Sequence, residues 1–311
     1  MALDHVNVYV IDEGDSWTII DTGFWSKKTQ SIWSDIKEKW FSDKPIGKVI
    51  VTHHHPDHVG LAGWFQTEFK ADLWMSRTAW LMARMLRLDY QKLPTEETIN
   101  FWRRAGMDDL ILDERATGKP FNFGDSVHEM PLGFRRIIDG EKIILGNRSW
   151  IVRVGNGHAP EHLTLWCEDE PIVIAGDQII SSISPNLGVY ATEPEADPVQ
   201  EWLMSCEAFL PFSNDKQLVL PGHKLPFYGL PHRLKQLIEN HHSALKRLVA
   251  FLKEPQTAVD CFPVLFNRKI SDNEYGLALV EAVAHLNHLY RKKIVKRELN
   301  SKGAYVYTLK N

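Results

Sequence analysis

The stretch Thr52-His53-His54-His55-Pro56-Asp57-His58 places four histidines and a carboxylate within seven residues. Imidazole nitrogens and carboxylate oxygens suit Zn²⁺, Fe²⁺ or Mn²⁺, and the run reads as two metal sites rather than one. Side chains two apart in extended chain point the same way. His53 and His55 can therefore pinch one ion while Asp57 and His58 turn toward a neighbour, and His54, facing away, is a non-ligand. A solvated tract or an affinity tag is the bland alternative, but this cluster is internal, carries an interleaved Asp57, and is followed by Gly60 and Gly63. The preceding Gly47-Lys48-Val49-Ile50-Val51 is β-branched and apolar like a buried strand. The ligands thus emerge at a strand end, where open α/β sheets put their chemistry.

Further strand-then-ligand units follow. Ile151-Val152-Arg153-Val154 leads into Gly157-His158-Ala159-Pro160-Glu161-His162, Pro171-Ile172-Val173-Ile174-Ala175 into Gly176-Asp177, and Gln217-Leu218-Val219-Leu220 into Pro221-Gly222-His223. Upstream, Trp17-Thr18-Ile19-Ile20 closes on Asp21-Thr22-Gly23. Five motifs in this order resemble the metallo-β-lactamase-fold hydrolases. Within that superfamily the chain is similar to bacterial hydroxyacylglutathione-hydrolase-like members with a C-terminal winged-helix module. The resemblance implies that His53, His55 and His158 hold one ion and that Asp57, His58 and His223 hold a second. Asp177 then bridges them, at the roughly 3.5–4 Å spacing of two-metal catalysis. Zinc is the first choice of metal, with iron and manganese as alternatives. Departures from the family pattern are Ala159, Glu161 and Lys224, none of which removes a ligand. Asp21 is expected to order the ligand loops by hydrogen bonds. His162 reads equally as a partner behind the ligands or as an ordinary buried histidine. In Ile183-Ser184-Pro185-Asn186-Leu187, also family-like, Ser184 and Asn186 are candidates for substrate contact or simply form a turn.

The elements that must position these residues can be read along the chain. Residues 6–11 and 17–21 flank the turn Glu13-Gly14-Asp15 as a hairpin, residues 27–40 have helical spacing, and 49–52 return as a strand. Residues 71–75 and 78–88 read as strand and helix, and 127–131, 143–145 and 150–154 as strands. This order suits an α/β fold, an αββα metallo-β-lactamase sandwich over residues 1–229. Residues 80–123, rich in Met, aromatic residues and Arg, are expected to form a helical cap insertion that shapes the substrate pocket, or else helices packed on the sandwich. Residues 230–311 read as a small C-terminal winged-helix-like domain: helices over 230–252 and 275–290, then a strand, a glycine-containing turn and a strand. Arg291, Lys292, Lys293, Lys296 and Arg297 raise the alternative of DNA binding, although cations at a helix end also answer the helix dipole.

Composition narrows the function. With 311 residues and 44% hydrophobic content the chain can bury a large core. A net charge of −4 and a pI near 6.4 argue against a general nucleic-acid or acidic-membrane binder. Cys167, Cys206 and Cys261 are far apart and odd in number, which fits a reducing compartment. No export signal or spanning segment is visible, so a cytoplasmic protein is expected, with a homodimer as one oligomeric option. The resemblance implies a dinuclear hydrolase in which two cations ionise a shared water for attack on a carbonyl, with Asp57 and Asp177 able to take the proton. The expected substrate is a thioester, lactone or other carboxylic ester of a small metabolite. The alternatives are phosphodiester or RNA hydrolysis, and a non-catalytic metal-binding regulatory protein.

Overall fold

A computed structural model describes residues 5–41 and 43–310; residues 1–4, on which the expected lack of an export signal partly rests, lie outside the described residues. The first sheet is built from β1 (Tyr9–Asp12), β2 (Trp17–Ile20), β3 (Ile46–Ile50), β4 (Asp72–Met75) and β5 (Arg135–Arg136), in that spatial order. β1 pairs antiparallel with β2 and the remaining pairs are parallel. The second sheet contains β6 (Lys142–Leu145), β7 (Arg148–Gly155), β8 (His162–Cys167), β9 (Ile172–Gly176) and β10 (Leu218–Pro221), ordered β10-β9-β8-β7-β6. Here only β9 and β10 run parallel.

The central strands β2, β8 and β9 are buried on both faces because both faces are covered, whereas β5 is exposed and β6 alternates exposed with buried residues. Successive residues serve different cores, as the two-residue period requires. Ile20, Ile50, Trp150, Leu163, Leu165 and Ile174 meet in one cluster between the sheets. Ile19, Val49 and Leu73 point the other way, onto α1 (Lys27–Trp40), the short α2 (Pro56–Val59), α3 (Ala62–Phe69) and α4 (Arg77–Leu88), which supply Trp33, Val59, Phe65, Ala79 and Ala83. The outer face of the second sheet offers Trp166, Val173, Ala175 and Val219 to a third cluster. That cluster holds residues of α5 (Glu96–Arg104), α6 (Asp109–Thr117), α7 (Pro198–Phe209), α8 (Leu230–Phe251), α9 (Phe262–Phe266) and α10 (Tyr275–Arg291). The expected helix–sheet–sheet–helix layering is present.

Residues 127–131 do not form the expected strand: no regular element covers them. Val127 and Met130 are buried all the same, so the apolar run reflects core packing of a loop and not sheet pairing. The first strand begins at Tyr9 rather than at residue 6. Within the segment 80–123, Phe101, Ala105, Met107 and Leu112 pack with the C-terminal helices, whereas Ala83 of α4 packs on the first sheet.

After α10 the chain forms the antiparallel hairpin of β11 (Val295–Leu299) and β12 (Tyr305–Leu309). The basic residues near it are partly consumed internally. Arg291 donates to the Glu195 carbonyl at 2.5 Å, and Arg297 bonds Glu195 Oε1 at 3.0 Å while lying over the rings of Tyr290 and Tyr305. No helix among the described residues is long and apolar enough to cross a membrane.

Candidate metal centre

Four strand ends deliver the site. β3 runs into the loop carrying His53, His55, Asp57 and His58; β7 leads to His158, β9 to Asp177 and β10 to His223. These seven side chains come together. Three overlapping groups, His53–His55–His158, His53–His58–Asp177 and Asp57–His58–His223, each have their nitrogen and oxygen atoms within 4.8 Å of one another. Asp177 lies between the outer two: its Oδ2 is 3.6 Å from His158 Nε2 and 3.3 Å from His223 Nε2, and its Oδ1 is 3.4 Å from His58 Nε2. His54, buried, belongs to none of the groups.

In four of the five histidines the ligand-facing nitrogen is selected by what holds the opposite one. The Thr52 hydroxyl donates its only hydrogen to Asp21 Oδ2 at 2.8 Å, so toward His53 Nδ1, 3.0 Å away, it can only accept. His58 Nδ1 donates to Asp21 Oδ2 at 2.8 Å, His158 Nδ1 to the Asn186 carbonyl at 2.9 Å, and His223 Nδ1 to the His5 carbonyl at 2.6 Å. With Nδ1 protonated, Nε2 presents its lone pair inward. The Nε2 atoms of His53, His58, His158 and His223, and Oδ1 of Asp177, are buried without a hydrogen-bond partner. Leaving one buried polar group unsatisfied costs about 1–3 kcal/mol. Five converging on one point form the donor set that a divalent cation satisfies, so these residues fit the metals the sequence implies.

The surrounding charges agree. Burial opposes ionisation of Asp177, yet His58, His158 and His223 hold its carboxyl well below the carboxylate range. Burial likewise opposes protonation of His58 and His223, but Asp177 and Asp57 outweigh it; His58 stays well above the ordinary histidine range and His223 is pushed up to about 9. His53 and His55 have no such carboxylate dominance, and burial, followed by neighbouring imidazoles, drives both well below it. Without metal, the carboxylates favour the protonated forms of His58 and His223, and a cation takes over that role when it binds their Nε2 atoms.

Asp21 takes the place expected for it. Beyond Thr52 Oγ1 and His58 Nδ1, it accepts from Thr52 N at 2.8 Å. Its neighbour Thr22 receives Leu61 N and donates to the His58 carbonyl, and Trp33 of α1 donates to the Thr22 carbonyl. The turn therefore locks both ends of the metal loop. His162 stands behind the ligands: its Nε2 accepts the Asp177 N–H at 3.1 Å and its ring stacks on His53 at 4.5 Å.

Glu161, the departure from the family pattern, has φ +48° and gives its carboxylate to Thr78 N in the first turn of α4 at 2.7 Å, where unsatisfied N–H groups favour an anion. Asn186 turns its side chain toward α10 and offers only its carbonyl to the site. The carbonyls of Asn186 and His5 are the parts that sequence reasoning missed. Main-chain acceptors leave no signature in residue type.

Gly222 is where backbone must approach the ligands closely. A Cβ there would collide with Asp177 Oδ1 and lie 2.7 Å from His58 Cε1. Gly222→Ala is expected to displace the Asp177 carboxylate and weaken metal retention roughly tenfold or more, the scale seen when ligand support is lost. Metal content after dialysis against a weak chelator measures this; wild-type retention would show that the loop yields without moving Asp177.

Comparison with known proteins agrees with this geometry. Residues 1–223 match the metallo-beta-lactamase superfamily, and residues 245–310 match the metallo-beta-lactamase-like C-terminal domain. The chain belongs to the metallo-beta-lactamase superfamily, and it is a metal-dependent hydrolase. It is 23% identical, over 99% of its length and 95% of the relative's, to the probable metallo-hydrolase YqjP of Bacillus subtilis (strain 168). A beta-lactamase domain protein from Burkholderia ambifaria superposes with a TM-score of 0.90 at 31% identity, covering 100% of this chain and 90% of that one. A metallo-beta-lactamase family protein from Thermus thermophilus gives 0.76 at 25% identity, covering 100% and 95%.

Proposed function

We propose that the protein hydrolyses a thioester, lactone or other carboxylic ester of a small metabolite at a centre of two divalent cations, zinc being the first candidate. The observation that carries the metal assignment is the convergence of four buried, unpartnered Nε2 atoms on the Asp177 carboxylate. In this reading His53, His55 and His158 hold one ion, Asp57, His58 and His223 hold the other, and Asp177 serves both. Divalent cations in such a centre supply Lewis acidity and make water a nucleophile near neutral pH.

The chain's own residues do the rest. Asp21 keeps His58 oriented and the metal loop closed. Asp57, the less buried of the two carboxylates at the centre, can take a proton from the attacking water and pass it on. His162 holds the Asp177 main chain in register. Glu161, in the loop that carries His158, holds the first turn of α4 through Thr78 N, so the start of the helical segment that follows is anchored beside the centre, which supports reading that segment as a wall of the substrate pocket. Support for a small carboxylic ester over a nucleic acid comes from the net charge of −4, since polyanion binding requires an extended basic surface. The internal engagement of Arg291 and Arg297 points the same way.

Elemental analysis beside a substrate panel tests the reading. About two ions per chain and turnover of thioesters or lactones are expected, with little cleavage of bis-p-nitrophenyl phosphate. Two ions with turnover of the phosphodiester alone would replace the substrate class. Two ions with no turnover and salt-sensitive DNA binding would favour a regulatory protein.

A further inference from the structure

The loop that follows β9 leaves Asp177 and returns beside His158, where the Asn186 carbonyl accepts the imidazole Nδ1–H at 2.9 Å. What holds that carbonyl in place lies outside the catalytic layer. The Asn186 amide donates one hydrogen to Glu281 Oε2 at 2.7 Å and the other to the Leu277 carbonyl at 3.1 Å, both on α10. Three residues on, Val189 N donates to the Val280 carbonyl at 3.1 Å. The loop is thus laced to one face of one C-terminal helix. Both amide hydrogens of Asn186 have acceptors, so its orientation is determined.

We propose that Glu281 is a positioning residue of the metal centre: it fixes Asn186, whose carbonyl fixes the tautomer and ring angle of His158. The inference rests on the reading of His158 as a ligand. Each hydrogen bond in such a chain contributes only about 0.5–1.5 kcal/mol net to folding, so the consequence lies in ligand geometry more than in stability. Burial pushes the Glu281 carboxyl up to about 7, against the hydrogen bond from Asn186 and the charge of Arg268. A protonated carboxyl keeps an acceptor oxygen for the Asn186 amide, and so does the isosteric glutamine. This gives the proposal its control, because Glu281→Gln preserves the link and Glu281→Leu removes it.

The test is the Zn²⁺ affinity of the full chain, measured by competition with a chromophoric chelator. Glu281→Leu and Asn186→Ala are each expected to weaken the His158-containing site by roughly 10–100-fold, the usual cost of losing support behind a ligand. Glu281→Gln should bind close to wild type. The Glu281→Leu/Asn186→Ala pair should bind no more weakly than the worse single variant, because both break the same chain of contacts. In metal-free protein, long-range ¹H–¹⁵N spectra should show His158 held as the Nδ1–H tautomer in wild type and as a mixture in Glu281→Leu. Should Glu281→Leu fail to fold, Asn186→Ala carries the same test.

Wild-type affinity and a single His158 tautomer in both disrupting variants would overturn the proposal while leaving the centre intact. An equal loss in Glu281→Gln, or a fall in melting temperature with unchanged zinc affinity, would reduce Glu281 to a packing role. A wild-type chain with no zinc affinity would remove the ligand reading itself, and the proposal with it.

Discussion

Asp177→Asn is expected to reduce ester hydrolysis by more than about a hundredfold and to lower the metal content from two ions toward one. Losing a partner behind a ligand already costs about 10–100-fold, and Asp177 is the side chain that faces both halves of the centre. Its oxygens lie 3.3–3.6 Å from the Nε2 atoms of three different histidines. The amide is nearly the same size, so packing survives. What changes is charge and polarity: one carboxylate oxygen becomes an NH₂ that cannot coordinate a cation, and the negative field that favours protonation of His58 and His223 in the metal-free state weakens. Turnover and elemental analysis on the same preparation check the result. Near-normal rates with two ions retained would end the bridging assignment.

Removal of the ions should destabilise the fold substantially. A ligand present at a thousandfold over its dissociation constant adds about 4 kcal/mol per site. For a chain of this size a kilocalorie moves the midpoint by roughly 2 °C, so chelation is expected to lower it by on the order of 10 °C. The effect has a pH signature. His58 and His223 are held above their ordinary value, so in the metal-free protein they contribute stability that is fully present below about pH 6.5. His223's share is lost as pH rises through about 9. Metal binding expels these protons, so zinc affinity should instead strengthen over the same range, by up to about tenfold per pH unit for each proton released. The midpoints of loaded and chelated protein should therefore diverge from about pH 6.5 to about 9. Parallel curves in a thermal-shift series would show that these histidines do not exchange protons for metal.

The site residues that are legible in the sequence share one property: side-chain type tied to a strand end. The loop from Thr52 to His58, and His158, Asp177 and His223, stand out because metal chemistry needs specific donors. The helix over residues 27–40 follows from periodicity, and the C-terminal hairpin from two strand-like runs around the turn at Gly303. β8 escapes notice because His162, its first residue, reads as the end of a ligand loop, although the run His162-Leu163-Thr164-Leu165-Trp166 alternates between two buried faces. α7 escapes as well, although Trp202, Leu203, Cys206 and Phe209 lie on its buried side and Asp197-Pro198, with Glu201 in the first turn, marks its start; the long irregular loop before it hides the signal. Residues 127–131 mislead in the opposite direction, since an apolar run says that a segment is buried and not what it pairs with. The carbonyls of His5 and Asn186 are invisible to any such reading, because every residue carries one.

Two family signatures divide this polypeptide between residues 223 and 245, yet the largest hydrophobic cluster ignores that line. It joins Val173 and Val219 of the second sheet to Leu234, Leu237, Leu248 and Leu286, and recruits Phe101 and Leu112 from the middle of the chain. The tail is therefore less a passenger than the missing outer wall of the enzyme. Shuffling one such tail for another means recarving a whole interior, so the two pieces are bound to change together or not at all.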